Sequence, residues 1–510
     1  GGFLNKVDCC ASVIGGGQVN CTSAQWASVL GGCKNTASGI FSSVVGGCGN
    51  SAQGYLSYIG GGANNKVYGL DSYSAIVGGL NNCIECRAGY GGSSCGNFIG
   101  AGECNVICSQ YNRACHSAVV GGLCNINWGK FNFSGGGCQN TNSAYALGTI
   151  SGGGNNTITA NGGTIGGGIN NSADNCAVVS AGGANTASAR SSTVSGGFLN
   201  RSTQIYATVS GGYCNYADAC YATMSGGNSH RTSALGCFST IAGGDTNTAC
   251  NTWSSILGGR NNTASGIFSS VVGGCGNLAQ GYSSFVGGGT GNCANGICSF
   301  IGGGRGNLAL CNTSTVAGGQ QNTSSSYSST VGGGLNNTAS CNYSAITGGR
   351  QNLATNLYTT IGGGYLNCAV GQYSSILGGL SNCANTCYSF VGGGNANRII
   401  NNACYSIIGG GQNNIICKGQ CSAILSGANN CIIGSADGNE RGITIVGGLN
   451  NTVSGYTNQG AFIGGGCLNL IGGDARYGSF IVAGLCNTVS GYHSGVGGGI
   501  LNCALGAGSA

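Results

Sequence analysis

The chain has 510 residues, of which 108 are Gly and none is Pro; only 5% are charged, and the formal net charge is +6. Glycine without a strict third-residue period excludes collagen, and so little charge argues against a solvated disordered chain. No apolar run reaches the ~18 residues of a membrane span, and no Lys/Arg cluster offers a nucleic-acid surface.

The first residues, GGFLNKVDCC, show neither Met nor a signal peptide. They read as the middle of a repeat, since GGFLN returns at 196 in GGFLNRST, and the last residues, GGGILNCALGAGSA, stop just after one. Both ends read as those of a processed chain or a piece of a longer one. From Gly16 onward a Gly pair or triple recurs, with an aliphatic residue before it and Asn after it. The block NTASGIFSSVVGGCGN occurs unchanged at 35 and at 262, which points to lengthening by internal duplication.

The repeat first loosens over about residues 80–121, where the Gly markers Gly79, Gly102 and Gly122 stand 23 and 20 residues apart. This insertion holds Cys83, Cys86, Cys104 and Cys108, with Cys95, Cys115 and His116 close in sequence. They are weak candidates for zinc ligands, because a lone C-x-x-C has no second pair at ribbon spacing. A disulfide-tied knob or an ordinary loop accounts for them as well, and neither a metal nor any other cofactor is assigned.

Between Gly259 and Gly394 the step is 15 residues at every repeat. Three residues before each marker stands Ile or Val, from Ile256 to Val391. Three after it stands Asn: Asn262, Asn277, Asn292, Asn307, Asn322, Asn337, Asn352, Asn367, Asn382 and Asn397. Five after it stands mostly Ala, as at Ala264, Ala339 and Ala384. Fifteen residues are too few for a helical hairpin and suit one turn of a narrow parallel β-solenoid, with two short strands and two tight turns. Ile/Val and Ala point inward, Gly makes the corners, and the inward Asn forms a ladder bonded to its neighbours about 4.8 Å above and below. The lack of Pro follows, since nearly every strand N–H is needed between coils. The expected fold is an all-β parallel solenoid running as a single continuous repeat domain over 1–510, with a second looser stretch at about 428–446. That stretch holds the one tight charge cluster, Asp437, Glu440 and Arg441, read as a solvated loop or a calcium or receptor contact.

Some of the 33 Cys share a phase on neighbouring coils: Cys33 with Cys48, and Cys368 with Cys383. These are the possible disulfides, though in-register parallel strands hold Cβ atoms wider apart than the preferred ~3.8 Å, and free thiols as small fillers are the competing reading. Tyr343, Tyr358, Tyr373 and Tyr388 also share one phase, as a plug over the edge of a thin core or as a strip facing a ligand or subunit.

The unit S-x-[IV]-x-G-G-x-x-N-x-A-x-G resembles the head repeat of YadA-like trimeric autotransporter adhesins, S-x-A-I-G-x-x-S-x-A-x-G; similar rolls occur in phage and virus fibres. The resemblance implies a left-handed parallel β-roll, packed as a trimer, that binds host surfaces. It transfers no site residue. This chain departs from it in its 15-residue unit, its doubled Gly and its abundant Cys.

A catalytic reading lacks its parts. His116, His230 and His493 are far apart in sequence, and the ten carboxylates are nearly all isolated, which leaves no triad and no acid pair. An ice-binding roll needs one outward phase filled with Thr. The residue after Asn reads Thr263, Leu278, Cys293, Leu308, Thr323, Thr338, Leu353, Cys368, Cys383, which is no regular lattice. The expectation is a non-catalytic structural fibre, filament or adhesin on an extracellular, cell or virion surface. Its core is thin, so it self-associates as a trimer or an end-to-end filament. A cell-surface receptor or a glycan is a further possible partner, and Asn200, Asn261 and Asn336 lie in N-x-[ST] sequences.

Overall fold

The computed structural model describes residues 1–86, 94–109, 115–435, 441–455, 459–473 and 477–509. Among them every regular element is a β-strand, most of two residues. The chain divides into two compact units, Gly1–Gly258 and Gly259–Ala510. Each is a parallel β-solenoid of roughly 15-residue coils, the fold expected from the repeat.

One coil of the second unit shows how the sequence builds it. Thr338–Ala339 forms the first strand and Ala345–Ile346 the second. Thr338 pairs in parallel with Thr323 on the coil before and Leu353 on the coil after, and Ala345 likewise with Thr330 and Thr360. The partner is thus the residue one repeat away. Between coils the N–H of Thr338 donates to Asn352 O (2.9 Å), that of Ser340 to Ala354 O (2.9 Å), that of Ala345 to Thr359 O (2.8 Å) and that of Thr347 to Ile361 O (3.0 Å). The turns join in: Leu335 N–H donates to Gly349 O and Tyr343 N–H to Tyr327 O. A Pro at these positions would remove an inter-coil bond.

Four side chains of the coil point inward: Asn337, Ala339, Ser344 and Ile346, all essentially without solvent exposure. The pattern holds in the first unit, with Asn35, Ala37, Ser42 and Val44. The buried Ser closes the turn before it. Ser344 Oγ donates to Cys341 O at 2.6 Å, as Ser314 does to Cys311 O. Asn acts mainly on backbone. Asn337 Nδ2 donates to Gly333 O (2.8 Å) on its own coil and to Gly349 O (2.9 Å) on the next, while Oδ1 accepts the N–H of Asn352 (3.0 Å). In some coils, this one included, the amides also bond directly: Asn352 Nδ2 donates to Asn337 Oδ1 at 3.1 Å, as Asn292 Nδ2 does to Asn277 Oδ1.

In most described coils three residues have positive φ, and only one of them must be Gly. Gly349 (φ +87°) is packed so that a Cβ would run into Gly364 O and stand 2.6 Å from Asn352 Nδ2. Gly348 beside it has open space around a would-be Cβ, and Ala fills the same place at Ala101, Ala181 and Ala483. The other two left-handed positions take ordinary residues, here Tyr343 (φ 59°) and Gln351 (φ 55°). Each non-Gly case costs about 1–2 kcal/mol, and the pairing on both sides of the coil over-determines the conformation.

Candidate functional site

Among the described residues, the histidines and the zinc candidates do not converge on one site. His230 occupies an Asn place in the ladder: its N–H donates to Asn215 Oδ1 (2.9 Å) and its Nδ1 accepts the N–H of Asn247 (3.1 Å). Burial pushes its pKa below the ordinary histidine value, with Asp245 opposing. His116 stacks on Phe131 at 5.5 Å, and His493 on Tyr477 at 6.2 Å. Each histidine therefore serves in a ladder or a ring contact.

Of the zinc candidates, Cys83 and Cys104 are half-buried and Cys108 is buried. Burial, reinforced by Glu85, pushes the Cys83 thiol up to about 12, which disfavours the thiolate a metal needs. The Cys86 side chain lies outside the described residues. Among those described, no three His, Cys, Asp or Glu side chains gather in a metal-holding group. Cys95 and Cys115 do meet on neighbouring coils, with 3.4 Å between sulfurs. In the second loose stretch, Asp437 and Glu440 lie outside the described residues. Arg441 is exposed and bridges in parallel to Gln420 and Gln459.

Asn200 is fully buried in the ladder, where Nδ2 donates to Gly196 O and Gly212 O. It cannot carry a glycan in the folded coil. Asn261 and Asn336 are exposed.

What the fold presents to a partner is a set of outward rows, each fixed by one phase of the repeat. The first is aromatic. Tyr343, Tyr358, Tyr373 and Tyr388 stack with centroids 4.8, 4.9 and 4.8 Å apart and nearly parallel planes, and Tyr405 extends the stack at 4.7 Å. The rings are 40–58% exposed, so they cover a corner of the coil and offer their edges outward. The first unit carries a second stack that sequence reasoning missed: Tyr206, Tyr221, Phe238 and Trp253, at 5.0, 4.7 and 4.4 Å. Its three ring types hid the common phase.

The second kind of row is hydroxylic. The first residue of the second strand reads Thr149, Thr164, Val178, Thr193, Thr208, Thr223, Thr240 on consecutive coils of the first unit, paired in register throughout. Two positions on, Ser151, Ser180, Ser195, Ser210 and Ser225 are exposed beside it. The row after Asn in the second unit is mixed, but this one is Thr in six of seven coils. The signal was in the sequence, in the other strand of the coil.

The third row holds thiols. Leu353, Cys368, Cys383 and Arg398 follow one another in register. Cys368 and Cys383 are free and half-buried. The hydrogen bond from Cys368 and the nearby Arg398 guanidinium bring the Cys383 thiol down to about 7 against the effect of burial, while the Cys368 thiol is driven up. Cys33 and Cys48 are likewise free and in register, with Ala63 on the following coil.

No protein-family model matches the chain, and a search of curated proteins finds no match for it.

Proposed function

We propose that the chain is a non-catalytic structural protein, the building material of a fibre or surface filament that acts outside the cell or on a virion. The observation that carries this reading is the self-complementarity of the coil: in each unit every described strand pairs in parallel with a strand one coil away, in most coils over the same buried Asn, Ala, Ser and Ile/Val. Such an arrangement devotes the whole chain to stiffness and leaves only outward rows for recognition. The likeness of the unit to adhesin head repeats fits the same reading, with the exposed aromatic edges as contacts between subunits or with a surface. Native mass measurement and particle images test it. Trimers or filaments with regular cross-coil spacing are expected, and a dilute, stable monomer of 49.8 kDa refutes self-association.

A second reading has its own observation, the paired Thr and Ser rows of the first unit. Hydroxyls repeat there about 4.8 Å apart between coils and roughly 6.6 Å apart along the strand, on a face free of charge from Thr149 to Thr240. A flat hydroxyl lattice of this kind suits ordered water, and through it ice. Thermal hysteresis that Thr208→Lys abolishes would establish ice binding; its absence from the unmodified chain removes this reading and leaves the first untouched.

A further inference from the structure

The row Leu353, Cys368, Cys383, Arg398 brings two thiols and a cation together on three successive coils. Parallel in-register pairing holds Cys368 and Cys383 about 4.8 Å apart at Cα, inside the range that a disulfide spans. The two side chains stand side by side on the same face of neighbouring coils. Arg398 is the register neighbour of Cys383 alone, so the two sulfurs are not equivalent. One lies next to a positive charge, and the other is a coil further from it.

We propose that Cys383 is a peroxide-reactive thiolate and Cys368 its resolving partner, together forming an oxidant-sensitive site that closes to a disulfide between adjacent coils. In the first step the Cys383 thiolate attacks one oxygen of a hydroperoxide. An S–O bond forms, the O–O bond breaks, and hydroxide leaves with the electron pair, giving Cys383 sulfenic acid. In the second step the Cys368 sulfur, giving up its proton, attacks the sulfenic sulfur. The S–S bond forms, the S–O bond breaks and water departs. With hydrogen peroxide the sum is two thiols and one peroxide to one disulfide and two waters. The oxidant is the hydroperoxide, and the two thiols are oxidised.

Three features support the assignment. The Arg398 guanidinium on the next coil favours the charged form of Cys383, the arrangement that makes a thiol nucleophilic. Both residues are half-buried and so reachable by a small oxidant. The product is also reversible by construction: parallel register keeps the Cβ atoms wider apart than the preferred ~3.8 Å, and a strained disulfide is readily reduced. Cys33 and Cys48 supply an internal control: they pair in register on another row, Cys48 is the more exposed thiol, and Ala63 follows where the first row has Arg398.

The test uses the full chain, reduced and freed of reductant. In a short pulse with limiting iodoacetamide, read residue by residue by mass spectrometry, Cys383 should be labelled at least about ten-fold faster than Cys48. One equivalent of hydrogen peroxide should yield the Cys368–Cys383 peptide pair ahead of any other disulfide. The C368S chain should be captured at Cys383 by a dione reagent specific for sulfenic acid, and R398Q should slow labelling of Cys383 several-fold. Equal labelling of Cys383 and Cys48 in the unmodified chain overturns the proposal. So does peroxide treatment that joins other cysteines while Cys368 and Cys383 remain thiols. Both measurements need no variant, so a poorly folding substitution cannot shelter the idea.

Discussion

The backbone N–H of Asn352 donates to the side-chain Oδ1 of Asn337 at 3.0 Å, one coil earlier. That bond makes each Asn the anchor of the next coil's backbone. Asn337→Ala therefore strands the N–H of Asn352 and the carbonyl of Gly333, and takes one of two donors from Gly349 O, which keeps the N–H of Leu335. Each orphaned buried group costs about 1–3 kcal/mol. Neighbouring Thr338 points outward, and Thr338→Ala should stay within about 0.5 kcal/mol. Thermal melts of the two variants should separate clearly; equal shifts would mean that the Asn bonds carry no net stability.

The two glycines of a corner should behave oppositely. Gly349→Ala drives a Cβ into Gly364 O at a left-handed φ. It should cost more than the ~1–2 kcal/mol of the backbone conformation alone. Gly348→Ala meets no atom and loses unfolded-chain entropy, so it should be neutral or stabilising by up to about 1 kcal/mol. Denaturant midpoints of the pair decide the matter.

His230 predicts a local acid sensitivity. Its pKa is lowered in the folded coil, so the unfolded chain takes up the proton more readily. The stability it allows is fully present above the unfolded value of about 6.5 and declines as pH falls from there toward the lowered folded value. Protection factors at Asn215, His230 and Asn247, taken relative to the intrinsic exchange rate at each pH, should fall between pH 7.5 and 5. In His230→Asn, which restores the usual ladder residue, that fall should disappear.

Tyr373 sits between Tyr358 and Tyr388, whereas Tyr405 closes the recorded stack against Tyr388. A stacked pair contributes about 0.5–1.5 kcal/mol beyond burial. Tyr373→Ala should then cost roughly twice as much as Tyr405→Ala in a melting experiment. Equal losses would show that the rings cover the corner without helping one another.

The coil was legible because its signals agree with one another. The 15-residue step, the alternation through Ile346 and Ala339, and the absent Pro all require the same parallel ladder. The inward Ser344 was equally available, since it stands two residues before Ile346 and so on the same face, but a polar residue is easily assigned to the surface. The left-handed residue before each Asn was harder to see. Gly49, Gly276, Gly291 and Gly306 and several Asn mark that phase, while Gln351, Leu366 and Cys486 occupy it without any local preference for it. Tertiary pairing, not propensity, sets their backbone. The Thr row escaped because it lies in the second strand of the first unit, where the 15-residue step is interrupted by coils one residue shorter or two longer. Nor does register by itself distinguish Cys383 from Cys48; the difference appears once Arg398 and Ala63 are seen on the following coils.

The identical segments 35–50 and 262–277 take up the same conformation in the two units: strands Thr36–Ala37 and Ser43–Val44 in one, Thr263–Ala264 and Ser270–Val271 in the other. A coil whose upper and lower faces fit any other coil is indifferent to its address. For the gene, this makes copy number an adjustable quantity. Unequal recombination between two such segments, which share sequence and register, would delete or duplicate whole coils in frame and leave a continuous ladder. Variants of different reach would then arise without any new contact having to be invented, and selection could act on length alone.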